Sequence, residues 1–128
     1  MSTTISGTSG VTFPDSTSMQ TGQQACKAWV NFNGTGTVAI RAAYNVSTVT
    51  DNGTGSYTVN ITSALIDANY AANVSIAGVP GTSDANMVTT DMNSTVRVNP
   101  TTTTFTFTAY RLAGSVIDTE FVRVSIFR

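Results

Sequence analysis

Seven carboxylates, six cations, one cysteine and no histidine leave this chain few residues that could run a reaction. Without imidazole there is no Ser-His-Asp or Cys-His nucleophile system. A lone thiol without histidine makes no structural zinc site. Acid–base work would fall to pairs among Asp15, Asp51, Asp67, Asp84, Asp91, Asp118 and Glu120. Most of these stand beside turn residues, where Asp has an ordinary use in bonding the backbone. Gly34-Thr35-Gly36 and Gly53-Thr54-Gly55 lie between strand-like runs and open no helix, so neither is a phosphate loop. Asp51-Asn52 and the acids from Asp84 to Asp91 lack the ligand spacing of an EF-hand. The expectation is a chain that is not an enzyme, with no catalytic residue, no metal and no cofactor.

What remains is contact chemistry, carried by aromatic residues placed beside cations. Trp29 with Arg41 and Lys27 forms one such group, and Phe121 and Phe127 with Arg123 form another. Aromatic residues and Arg are enriched in the cores of interfaces. The competing reading is that these faces lie under a loop or sheet of the same chain. Aromatics also line sugar-binding surfaces, which gives a third reading, a glycan platform.

The elements that must position these residues start with residues 26–44, CKAWVNFNGTGTVAIRAAY, which hold the only Cys, Lys and Trp. Alternation puts Cys26, Ala28, Val30 and Phe32 on one face and Lys27, Trp29 and Asn31 on the other. In the next strand Val38, Ile40, Ala42 and Tyr44 form the apolar row. A three-residue loop, Gly34-Thr35-Gly36, pairs Phe32 with Val38 and Val30 with Ile40, and so aligns the two apolar rows. Gly36 then supplies a left-handed turn residue without a Cβ clash. This register sets Trp29 opposite Arg41 on the second face, where the two stack. Cys26 is expected in the core, since one cysteine forms no internal disulfide.

With 128 residues the chain can bury one core without a metal or disulfide. Only 10% of residues are charged, against about 25% in ordinary domains; Thr, Ser and Asn replace them, a mixture that favours strands and turns. A net charge of -1 gives no electrostatic footprint for nucleic acid. No apolar run approaches the roughly 18 residues of a membrane span, and the N-terminus lacks the parts of a signal peptide, so neither membrane insertion nor export is expected. The Asn-x-Ser/Thr triplets at Asn45, Asn60, Asn73 and Asn93 arise readily in so Asn- and Thr-rich a chain and do not establish glycosylation.

Further strands follow over residues 46–50 and 57–61, joined by a turn at Asn52-Gly53, with either Val49 or Thr50 opposite Tyr57. Residues 63–69 read as an irregular crossing and 70–76 as a strand. Residues 83–93 carry no firm pattern. Val96 and Val98, then Phe105, Phe107 and Ala109, then Val122, Val124 and Ile126 mark the remaining strands. No segment has sustained helical periodicity. The fold class expected is all-β, an antiparallel β-sandwich or small barrel over residues 25–128, preceded by an extended N-terminal segment over residues 1–24.

In that N-terminal segment Gly10, Val11, Thr12, Phe13, Pro14, Asp15, Thr17 and Gln20 make up a pattern that resembles the short module recurring in the shafts of bacteriophage tail fibres. One copy is present. Residues 26–76 are similar to a globular domain at the ends of phage fibres and other virion proteins. The resemblance implies a virion structural protein made in the host cytoplasm, a short tail fibre or fibre tip that contacts other virion proteins and attaches to a host-surface glycan or protein. It implies a homotrimer, with Val11 and Phe13 of three chains near the axis. The candidate interface or ligand face is therefore Val11, Phe13, Trp29, Arg41, Phe121 and Arg123. A capsid decoration protein without a receptor role and a carbohydrate-binding module are the alternatives.

Overall fold

The computed structural model describes residues 4–6, 10–12, 18–19, 26–77, 86–90, 92–93, 96–111 and 114–128. Among these there is no helix. Three short strands, β1 (Thr4–Ser6), β2 (Gly10–Thr12) and β3 (Ser18–Met19), pair antiparallel, with Val11 opposite both Ile5 and Met19. Phe13 lies outside the described residues.

The body of the protein is a sandwich of two four-stranded antiparallel sheets. The front sheet has the order β5 (Ala39–Tyr44), β4 (Cys26–Asn33), β13 (Val122–Phe127), β8 (Ala71–Ile76). The back sheet has the order β6 (Val46–Asp51), β7 (Ser56–Ile61), β12 (Thr104–Arg111), β9 (Asn86–Thr90). The alternation of apolar residues determines which face of each strand turns inward. Ala28, Val30, Phe32, Val122, Val124 and Ile126 from the front sheet meet Tyr57, Val59, Ile61, Phe105 and Phe107 from the back sheet, all buried. Phe32 packs edge-on to Tyr57 at 5.2 Å between ring centres, and Phe105 stacks on Phe107 at 5.9 Å. Such pairs add to the area they bury.

A buried polar junction joins the sheets at one end. The Tyr57 hydroxyl lies 2.9 Å from the Gly34 carbonyl and 2.8 Å from Asp118 Oδ1, which also accepts from the Gly55 N–H at 2.7 Å. Gly34 must be glycine here, because a Cβ would sit 2.5 Å from the Tyr57 oxygen.

Two hairpins depart from the expected register. Phe32 pairs with Ile40 and Asn33 with Ala39, so residues 34–38 form a five-residue loop in place of three; Gly36 is left-handed within it, with φ of 62°. A bulge follows: Asn31 faces Ala42, leaving Arg41 unpaired between them. Beyond it the strand's alternation is inverted, so Tyr44 lies opposite Trp29 on the outer face and not in the apolar row. Every residue of β5 is exposed, an edge strand the back sheet does not cover. In the second hairpin Tyr57 faces Asp51, neither Val49 nor Thr50, because the turn takes up residues 52–55.

Residues 86–90 and 92–93, which carry no period in the sequence, form β9 and β10 (Met92–Asn93). The expected strand around Val96 and Val98 shortens to β11 (Val96–Arg97), paired with β10. The backbone of β10 lies against β12 and β7, on the outer side of the back sheet. There Thr106 and Thr108 are buried although they point away from the core. Cys26 is half-buried and outside the core cluster; a bulge where β4 pairs with the end of β13 interrupts the alternation, and the thiol lies 3.2 Å from the Ala28 carbonyl.

Candidate functional site

The outer face of the front sheet carries the contact chemistry. Along β4, Trp29 is 39% exposed, with Tyr44 of β5 on one side and Ser125 of β13 on the other. One same-face step further, Asn31 lies between Ala42 and Arg123. The expected Trp29–Arg41 stack does not form. The bulge sends Arg41 to the far end of the face, where its guanidinium lies 4.4 Å from the centre of the Phe121 ring and Nη1 donates to the Glu120 carbonyl at 2.6 Å. Arg123 approaches the same ring at 5.4 Å. Phe121, Arg41 and Arg123 are thus brought together, a ring flanked by two cations whose attraction to its π face is worth about 0.5–2 kcal/mol. Phe127 is exposed elsewhere on this sheet and has no ring contact among the described residues.

A corner that alternation alone does not reveal shapes the other end of the face. Between β5 and β6 the chain passes from the front sheet to the back through Asn45, which is left-handed at φ of 54°. Its side chain holds the turn: Nδ2 donates to the carbonyls of Lys27 (3.0 Å) and Ser63 (3.1 Å), and Oδ1 accepts from the Ser63 N–H (2.7 Å). Asn tolerates this conformation because a short polar side chain can bond locally. The corner and the irregular residues 63–66 enclose a cleft of about 420 Å³, lined by Lys27, Tyr44, Ser63, Leu65, Ile66 and Arg128, among others. Ile66 is 86% exposed on its rim. Arg128 is held by Asp67, with Nε donating to Oδ1 at 2.8 Å. This bond, with a further one from the Asn69 N–H, holds the Asp67 carboxyl below its usual range.

Each carboxylate among the described residues is used by the fold. Asp51 accepts from the Gly53 N–H, Asp67 from Arg128, Asp118 from Gly55 and Tyr57, and Glu120 from Arg41. No three of the described Cys, Asp and Glu residues gather as metal ligands. Asp15, Asp84 and Asp91 lie outside the described residues. Asn45 and Asn60 spend their amide groups on bonds within the fold, so a glycan at either would displace them.

Of the expected contact residues, Trp29, Arg41, Phe121 and Arg123 share one side of the front sheet, but the two expected groups exchange a member: Arg41 leaves Trp29 and joins Phe121 and Arg123. Val11 is placed only by its backbone in β2. Tyr44, Ser63 and Ile66 were missed. Alternation alone puts Tyr44 in the core row, and the bulge inverts it; the other two sit in a crossing without periodicity. The chain matches no protein-family model, no curated protein and no solved structure.

Proposed function

We propose that this chain is a structural protein of a bacteriophage virion, a short tail fibre or fibre tip, that acts as a homotrimer and attaches to the host surface without catalysing a reaction. The observation that carries the reading is the open outer face of the front sheet. It presents Trp29, Tyr44, Phe127 and two ring-stacked arginines to solvent, while the back sheet has its outer side lined by β10 of the same chain. Exposed aromatic and Arg groups of this kind mark contact surfaces. The phage setting and the threefold symmetry come from the resemblance of residues 10–20 to a fibre-shaft module. A solution mass of three times 13.4 kDa by light scattering, with antibody against the chain decorating tails in micrographs of the particle, supports the proposal. A monomer, or label on the head shell, overturns it. A carbohydrate-binding module is the second reading, favoured by the Trp29–Tyr44 pair beside the cleft, and it requires glycan binding by the isolated monomer.

A further inference from the structure

The cleft at the Asn45 corner carries three groups that the fold leaves unused. Tyr44 is 58% exposed and offers its ring as a wall, with Trp29 directly across the strand pair. Lys27, half-buried in the lining, has no carboxylate partner among the described residues, where the ion pairs are Arg41 with Glu120 and Arg128 with Asp67. Ser63 gives its N–H and carbonyl to Asn45, and its hydroxyl has no partner among the described residues. Leu65 and Ile66 complete an apolar lining. The volume, about 420 Å³, falls within the roughly 300–1,000 Å³ of small-molecule sites, which combine apolar walls with a few convergent polar groups.

A pyranose ring is complementary to this arrangement. One face of the sugar is a sheet of C–H groups that packs on an aromatic ring, and its rim of hydroxyls reaches groups such as Ser63. The charge chooses among sugars. Arg128 is paired with Asp67, so among the described lining residues Lys27 is the cation without a carboxylate, and its ammonium is best matched by one negative charge. A neutral sugar would leave Lys27 without a counter-charge, and a doubly charged phosphate would bring a second negative charge close to Asp67. We infer that the cleft binds a carboxylate-bearing pyranose, its ring on Tyr44 and its carboxylate on the Lys27 ammonium. This deepens the attachment reading and rests on it for the setting in which such a sugar is met, not for the chemistry of the cleft.

The test is calorimetric titration of the full chain with sodium glucuronate, sodium galacturonate and glucose. Emission of Trp29, the only tryptophan, provides a second readout. The expected result is saturable binding of a uronate, about tenfold tighter than glucose, as a hydrogen-bonded charge pair provides. Lys27→Met should abolish that preference and Tyr44→Ala should weaken both sugars, each with unchanged thermal melting because neither side chain is in the core. No saturable uronate binding, equal binding of glucose, or a preference that survives Lys27→Met overturns the inference. Uronate binding by a chain that does not bind host cells upholds the inference and overturns the attachment reading. Cell binding by a chain that takes no uronate does the reverse.

Discussion

At the scale of single residues, Tyr57 shows how one polar atom can decide a core. Its ring is fully buried against Phe32 and Phe107, and its hydroxyl lies between Gly34 and Asp118. Burial first, then the bond to Asp118 and the charges of Asp118 and Asp51, raise its ionisation far above the ordinary 10.0. The folded protein therefore keeps a proton that the unfolded chain gives up. Its contribution is fully present below about pH 10 and falls as pH rises beyond it. Urea unfolding at rising alkaline pH should show a loss of stability that Tyr57→Phe lacks, and that variant should be less stable by about 1–3 kcal/mol at neutral pH. Gly34→Ala should cost more, since its Cβ would overlap the same oxygen. The inward placement of Tyr57 is legible from the alternation of its strand. The role of its hydroxyl is not, because Asp118 is 61 residues away and reads as one more turn acid.

At the scale of elements, the Asn45 corner lets one hairpin leave the front sheet and begin the back one. Asn45→Ala keeps the strained φ and loses three hydrogen bonds, while Asn45→Gly loses the bonds but relieves the strain. Both should destabilise, Ala by about 1 kcal/mol more than Gly, as measured by chemical unfolding. The neighbouring crossing is tied to the last strand by Asp67 and Arg128. Because the Asp67 carboxyl is held below 3.8 by Arg128 first and by the Asn69 N–H, that contribution is present above this value and is lost as pH falls through the lower folded one. Unfolding midpoints followed downward from about pH 5 should fall less for Asp67→Asn than for the native chain. Strands β4, β7, β12 and β13 were legible because large apolar residues alternate with polar ones. Strand β5 was legible as a strand but not in its register. Its Ala39, Ala42 and Ala43 penalise neither face, so the sequence has no strong signal against the one-residue bulge at Arg41.

At the scale of the whole molecule, the two sheets and their shared core follow from strand patterning, but the neighbours of each strand do not. The central pairings, β12 with β7 and β9 and β13 with β4 and β8, join segments far apart in sequence, and no local pattern specifies them. The covering of the back sheet leaves no period in the sequence, because β10 and β11 are two residues each. If three chains assemble through the front face, Trp29 emission should shift to the red as the assembly is diluted to monomer. Phe13→Asp should lower the assembled mass while the Cys26 to Arg128 region keeps its melting temperature, as sedimentation and thermal unfolding would show. Emission unchanged across a dissociation would place the interface away from Trp29.

The unequal covering of the two sheets also bears on how freely the chain can change. On the back sheet, outward residues belong to a tied lattice: Thr58 bonds Thr106 at 2.9 Å, Asn60 bonds Thr48 and Thr50, and Thr108 has no exposed surface. A substitution there disturbs several neighbours at once. On the front sheet, Tyr44 and Asn73 stand in solvent, and Arg123, also exposed, is tied only to the exterior Phe121 ring. Randomising these three should yield a library in which most members still fold, whereas the same treatment of Thr58, Thr106 and Thr108 should leave few. The molecule thus separates heritable variation in what it touches from variation in whether it folds, a division that would let selection for a new surface proceed with little loss of viable chains.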